Sequence, residues 1–297
     1  MIGTDFYFSW EVFVILFLQS SLPGFVLGFF EIIAEVISKN VLALIFISIY
    51  LAYNKDWGKF TLLSLGVAGV CCEFIKVMVA RLRPYAVVDQ IRCIRANVAG
   101  QNPMDFKIQG YSFPSGHTMM ATNLFLAIPV YIRNKFYIVI GLIGVFVVAL
   151  SRAGLGVHFP TDTIAGFFIA LAIILILYRI FDRVEDRKYL YLGIIVLSFV
   201  GIIFCHAISY IQYVALVTGI ALGFLVEEKY VNFENPKSRR DALVRFIGAF
   251  ILFILLFIVI PKFVGDTDIF KCIKYSVFTF IILAIYPLAF KKMDRDG

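Results

Sequence analysis

Long apolar runs separated by short polar or basic turns fill this chain. From residue 35 onward they recur as nine segments, at 35–53, 60–80, 117–132, 136–150, 163–180, 189–205, 208–226, 242–260 and 273–290. Each is near the length a helix needs to cross the hydrocarbon of a bilayer. The pattern predicts an all-α integral membrane protein with about nine transmembrane helices. Residues 6–30 are apolar and aromatic but are interrupted by Gln19, Ser20, Ser21, Pro23 and Gly24. That stretch predicts a short helix and turn lying in the membrane interface. The longest polar interval is 81–113, and the charged linker at 182–188 is the one plausible boundary. The expected organisation is an interfacial segment (1–30), a core of about five helices (31–182) and an accessory region of about four helices (183–297).

Composition supports the membrane class. Hydrophobic residues make up 61% of the 297 and charged residues only 16%, against about 25% charged in soluble domains. A net charge of +7 would point to nucleic acid in a soluble protein. Here the basic residues sit between apolar runs, as topology determinants do, so no nucleic-acid partner is expected. The five cysteines are too scattered for a disulfide framework or a zinc site.

Charge also orients the chain. The connections at 54–59, 133–135, 182–188, 227–241 and the tail at 291–297 are dense in Lys and Arg. The alternate set holds the N-terminus, 81–113, 151–162, the turn near His206 and 262–271. By the positive-inside rule the first set, with the C-terminus, is cytoplasmic. The second set then faces outward. The Ile, Phe and Lys content points to a prokaryotic plasma membrane.

The polar residues that carry chemistry fall in that outward set. Lys76 and Arg83 are seven apart, two helical turns, near the outer end of the second span. Ser115 and Gly116 precede the third span, where free N–H groups and the positive helix end favour an anion. Arg152 follows the fourth span. Together these residues suit a phosphate group. His158 lies four residues before Asp162, with Pro160 fitting the first turn of the next helix. Asp162 can hold one imidazole nitrogen and leave the other free to attack. His117, at the start of the third span, can give a proton to a leaving alcohol. Plainer readings stand beside each of these. A lone Lys or Arg at a helix end is usually an interfacial anchor. Glu73 can pair with Lys76 in a purely structural contact, and Asp162 can simply cap its helix. His206 has no motif around it and reads as structural.

Taken together, these residues resemble the type 2 phosphatidic acid phosphatase superfamily. Members include lipid phosphate phosphatases, polyprenyl diphosphate phosphatases, glucose-6-phosphatases and soluble vanadium haloperoxidases. The family's motifs are Lys-x6-Arg-Pro, Pro-Ser-Gly-His and Ser-Arg-x5-His-x3-Asp. Here they stand as Lys76…Arg83-Pro84, Pro114-Ser115-Gly116-His117 and Ser151-Arg152…His158…Asp162, every position in order. The resemblance covers roughly 31–181. It implies a phosphatase helical-bundle core with extra C-terminal helices. It also implies a phosphohistidine on His158, oriented by Asp162, with His117 as the acid. Lys76, Arg83, Ser115, Gly116 and Arg152 would hold the phosphoryl oxygens, with no metal and no cofactor.

The expected substrate is a lipid phosphate or diphosphate met at the membrane surface. A soluble sugar phosphate is the alternative, with the same chemistry. A transporter or scaffold is disfavoured, because the last four spans carry few intramembrane charges. The 81–113 loop, with Arg92, Arg95 and Lys107, can either shape the entrance or simply pack on itself.

Overall fold

The computed structural model describes residues 3–95, 100–184, 186–265 and 267–293, without the side chains of 106–107 and 291–293. Lys107 and the basic tail therefore lie outside the described side chains. Among the described residues the chain is predominantly helical, as the apolar pattern predicts. The helices are α1 (Ser9–Ser21), α2 (Gly24–Val36), α3 (Lys39–Ala52), α4 (Lys55–Val79), α5 (Gly116–Tyr131), α6 (Lys135–Gly154) and α7 (Pro160–Arg183). They continue as α8 (Lys188–Ile202), α9 (Ile208–Val231), α10 (Arg239–Val264) and α11 (Asp268–Phe290).

The expected count of nine spans is not confirmed. Six helices (α4, α6, α7, α9, α10 and α11) are long and apolar enough to cross a membrane, or up to seven if α1 and α2 together make one bent span. The difference has local causes. The expected span at 35–53 straddles the end of α2 and the start of α3, and α3 has only 14 residues, about 21 Å of rise against about 30 Å of hydrocarbon. The third expected span is the 16-residue α5, which carries Pro129 near its end. The sixth is the 15-residue α8.

Contacts divide the chain into two compact units. One is Met1–Lys39 with Cys71–Leu175; the other is Asn40–Val70 with Ile176–Gly297. Every residue proposed for chemistry belongs to the first.

In that unit α1 and α2 meet at 116°, broken at Leu22-Pro23. Helix α1 buries Glu11, Ile15, Leu18 and Gln19, which share one face at helical spacing. Its other side exposes Trp10, Phe13 and Phe17, as a helix lying in a lipid interface would. Helices α5 and α6 form an antiparallel hairpin. Asn134 caps α6 by accepting from the Phe136 and Tyr137 N–H groups. Gly141 allows the close packing: a Cβ there would stand 2.5 Å from the Phe125 carbonyl oxygen. The hairpin directs the start of α5 and the end of α6 to the same end of the unit.

The second unit is held by a buried charge cluster. Lys59 Nζ lies 2.7 Å from Glu227 and 2.8 Å from Glu228, and Lys55 Nζ lies 2.7 Å from Glu227. Tyr191 donates to Glu228 at 2.9 Å.

Candidate active site

The turn from α6 into α7 builds the centre. The Arg152 carbonyl accepts from the N–H groups of Val157 and His158, which folds the chain back over the helix end. Gly156 takes φ +75 within this turn, and a Cβ there would stand 2.2 Å from the Arg92 carbonyl oxygen. His158 is thereby set beside Arg152 and one turn ahead of Asp162. Both His158 and Asp162 are buried.

Asp162 combines the two roles the sequence left open. Its Oδ2 accepts from the Phe159 N–H at 2.8 Å and so caps α7. The same oxygen accepts from the Ser112 hydroxyl and lies 3.5 Å from His158 Nδ1. The other imidazole nitrogen, Nε2, faces Arg83 Nη1 at 3.5 Å. His158 therefore has a carboxylate on one edge and a cation on the other. Burial holds its imidazole well below the ordinary histidine range, and the Arg83, Arg152 and Lys76 charges push the same way. The neutral, nucleophilic form is favoured.

The remaining predicted residues gather around that imidazole. Ser115 caps α5 by accepting from the Thr118 N–H, and its own N–H donates to the Asp162 carbonyl at 2.9 Å. The backbone of the Pro-Ser-Gly-His turn is thus tied to the start of α7. Gly166 makes that approach possible, since a Cβ there would stand 2.8 Å from the Ser115 carbonyl oxygen. A Cβ on Gly116 would lie 3.8 Å from Lys76 Nζ, so the Lys76 ammonium sits at the mouth of α5. His117 lies within electrostatic range of Arg152, His158, Lys76 and Arg83.

The cations are not equivalent. Lys76 pairs with Glu73 at 3.1 Å, the contact the plainer reading proposed. Arg83 is fully buried and braces the loop: it donates to the carbonyls of Gly110 (3.0 Å), Val157 (2.9 Å), Gln109 (2.8 Å) and Tyr111 (3.4 Å). Arg152 differs. It is 1% exposed, and its Nε and Nη1 have no hydrogen-bond partner among the described residues. A buried guanidinium with unpaired N–H groups beside a histidine is arranged to receive an anion, because leaving it unpaired costs several kcal/mol.

The sequence reading missed Arg81, Glu11, Ser112 and Thr161. Arg81 ion-pairs with both Asp162 (2.6 Å) and Glu11 (2.8 Å). Glu11 was detectable as an acidic residue inside an apolar run, which rarely occurs without a partner. Ser112 and Thr161 carried no such signal. Gln19, read only as a break in the apolar segment, is buried and bonds the Arg92 backbone through both ends of its amide, at 2.8 and 3.1 Å. Arg92 thus packs against α1, and Arg95 pairs with Glu35.

Comparison with known proteins finds family matches along much of the chain. The PAP2 superfamily model matches residues 57–186. The model for the transmembrane extension of PAP2 superfamily phosphatases matches 211–296. The chain is 30% identical to phosphatidylglycerophosphatase B of Bacillus subtilis over 146 residues, 46% of this chain and 63% of that protein. It is 32% identical to an undecaprenyl-diphosphatase of Sulfolobus acidocaldarius over 111 residues, 36% of this chain and 47% of that one. It is 27% identical to a lipid A 4'-phosphatase of Porphyromonas gingivalis over 170 residues, 54% of this chain and 68% of that one. The matched stretch thus spans less than two thirds of the first two relatives. No solved structure matches.

Proposed function

Because the chain belongs to the PAP2 superfamily, we propose that it is a membrane phosphatase that hydrolyses a lipid phosphate monoester or diphosphate through a phosphohistidine on His158. One observation carries this reading: Arg152, buried with two guanidinium nitrogens unpaired among the described residues, lies beside a histidine whose far nitrogen faces a carboxylate.

Asp162, 3.5 Å from His158 Nδ1, favours the proton on that nitrogen and leaves the Nε2 lone pair, 3.5 Å from Arg83 Nη1, to attack. Nε2 attacks phosphorus and the bond to the leaving oxygen breaks. His117 gives that oxygen its proton. Water then attacks the phosphohistidine, His117 takes up the water's proton, and inorganic phosphate leaves. Arg152, Lys76, the Arg83 edge, the Ser115 hydroxyl and the Gly116 N–H stabilise the equatorial oxygens, where charge builds in the transition state.

Three relatives whose names denote lipid phosphatases support a lipid substrate. So does the aromatic outer face of α1, which belongs to the same unit as the site. The charge asymmetry of the connections supports a site on the non-cytoplasmic side, with the C-terminus in the cytoplasm. A test of sidedness is Asn102→Cys in a cysteine-free background, which should react with a membrane-impermeant maleimide in intact cells.

The test of activity is phosphate release by detergent-purified protein. The panel is phosphatidic acid, phosphatidylglycerophosphate, a polyprenyl diphosphate, a sphingoid phosphate and glucose 6-phosphate. At least one lipid should be hydrolysed by the wild type and none by His158→Ala. Glucose 6-phosphate as the fastest substrate would overturn the lipid reading, and release that survives His158→Ala would overturn the mechanism.

A further inference from the structure

The Arg81 guanidinium lies next to the catalytic carboxylate but faces away from the phosphate cradle. It is fully buried, and each of its nitrogens is engaged. Nη1 donates to Asp162 Oδ1 at 2.6 Å and to Thr161 Oγ1 at 2.7 Å. Nη2 donates to Glu11 Oε2 at 2.8 Å, and Nε to the Phe6 carbonyl at 3.0 Å. Its carbon lies 4.6 Å from the Phe6 ring centre and 4.1 Å from that of Phe159. Glu11 is equally committed. Its Oε1 accepts from the Thr161 N–H at 3.1 Å and hydroxyl at 2.5 Å, and its Oε2 from the Phe8 N–H at 2.9 Å.

We propose that Arg81 and Glu11 are positioning residues for the reaction: they fix the plane and the charge of Asp162, and through it the orientation of His158. The inference rests on the reading of His158 as nucleophile. Two physical arguments carry it. The first is geometric. Arg81 holds Oδ1, so the carboxylate can present only Oδ2 to the imidazole, 3.5 Å away. The second is electrostatic. Arg81 by itself would neutralise Asp162 and cancel its pull on the imidazolium that forms as His158 attacks. Glu11 offsets the Arg81 charge, so the Glu11–Arg81–Asp162 chain keeps one net negative charge facing the histidine. A buried ion pair is a poor source of stability, since desolvation offsets most of its attraction. A chain of three ending at a catalytic carboxylate is better explained by orientation. In consequence α1, which the apolar pattern marks only as an interfacial helix, becomes part of the catalytic apparatus.

A merely structural staple and a positioning device predict different kinetics. The substrate is whichever lipid phosphate the wild type hydrolyses fastest, and rates are taken per monodisperse protein. Arg81→Met should lower kcat about 100-fold and leave KM within about 3-fold. Arg81→Lys should recover part of kcat. Glu11→Gln, which keeps shape and removes charge, should lower kcat about 10-fold with KM unchanged. In an Asp162→Asn background Arg81→Met should cost less than about 3-fold more, because both changes act through one carboxylate. Wild-type kcat in Arg81→Met and in Glu11→Gln overturns the proposal, as does a rise in KM alone or full additivity with Asp162→Asn. If Arg81→Met does not fold, Glu11→Gln decides by the same split of kcat and KM. His158→Ala separates the two claims. If it is inactive while Arg81→Met is fully active, only the positioning role falls. If it is active, the nucleophile assignment falls first.

Discussion

In the unit that holds both motif histidines, Arg152 is 1% exposed and two of its guanidinium nitrogens have no partner among the described residues. In the other unit, Lys59 is 2% exposed and lies within 2.8 Å of two carboxylates, while Lys55 and Tyr191 complete the cluster. Both places bury cations in an apolar protein, and both carry the desolvation cost of doing so. The second cluster answers it internally, with two lysines against two glutamates. The first leaves part of it unanswered. A buried charge left without a partner fits a place where the partner arrives as substrate; a charge paired within the fold and away from the motif residues fits a scaffold. By that criterion the unit of Met1–Lys39 and Cys71–Leu175 is the proposed seat of the chemistry, and Lys59–Glu227 holds a supporting structure.

The contrast can be broken by substitution. His158→Ala should cost the most, about 10⁴-fold or more in kcat, because it removes the attacking atom. Its thermal midpoint should stay near that of the wild type. Phosphate release above that floor would show that another group attacks.

Next is Arg152→Ala, expected to lower kcat/KM by about 100- to 1,000-fold. It should leave the thermal midpoint unchanged or raise it, since an unpaired buried cation is removed. A large loss of stability would place Arg152 among the scaffold charges instead.

Glu227→Ala should do the reverse. It strands Lys55 and Lys59 and should destabilise the fold by about 3–5 kcal/mol, with kcat per folded molecule unchanged. Unfolding by heat or denaturant, paired with rates on the surviving protein, measures both. A fall in kcat would give the second unit a share in catalysis.

The smallest effect concerns pH. Burial, then the Arg83, Arg152 and Lys76 charges, depress the His158 imidazole, and in the proposed mechanism the neutral form attacks. Corrected for substrate ionisation, the acid limb of kcat/KM, which reports His158, should therefore lie below about pH 6.5, while loss of the His117 proton that the proposed mechanism also needs sets a separate alkaline limb. The unfolded chain takes up that proton first, so this histidine's share of stability is present above about pH 6.5 and is lost as pH falls below it. Arg152→Ala removes one of the repelling cations and should move the acid limb upward. An acid limb at or above pH 6.5 in the wild type would contradict the environment described for His158.

Much of this was legible in the residues themselves. The apolar runs gave the helical membrane class because the bilayer imposes a length and a polarity that composition cannot hide. Lys76, Arg83, Ser115, Gly116, His117, Arg152, His158 and Asp162 could be named as candidates because each motif's spacing is local to helix ends and turns, and the structure gathers them in one unit. The span count was less secure. A run of apolar residues does not show where the backbone breaks, and the break at residues 37–38, between α2 and α3, falls inside one such run.

The ordering of the cations was not legible at all. Whether an arginine is mostly engaged by carbonyls, as Arg83 is, or left open among the described residues, as Arg152 is, depends on partners far along the chain. The same holds for Arg81 and Glu11, which are 70 residues apart and meet only once α1 lies against the start of α7. The sequence by itself determined the class of the protein, its motifs and the chemistry those residue types can perform. Tertiary structure decided which charges are paired and which are waiting, because burial and pairing depend on what the fold brings within three ångströms, and spacing along a helix reaches only the next turn.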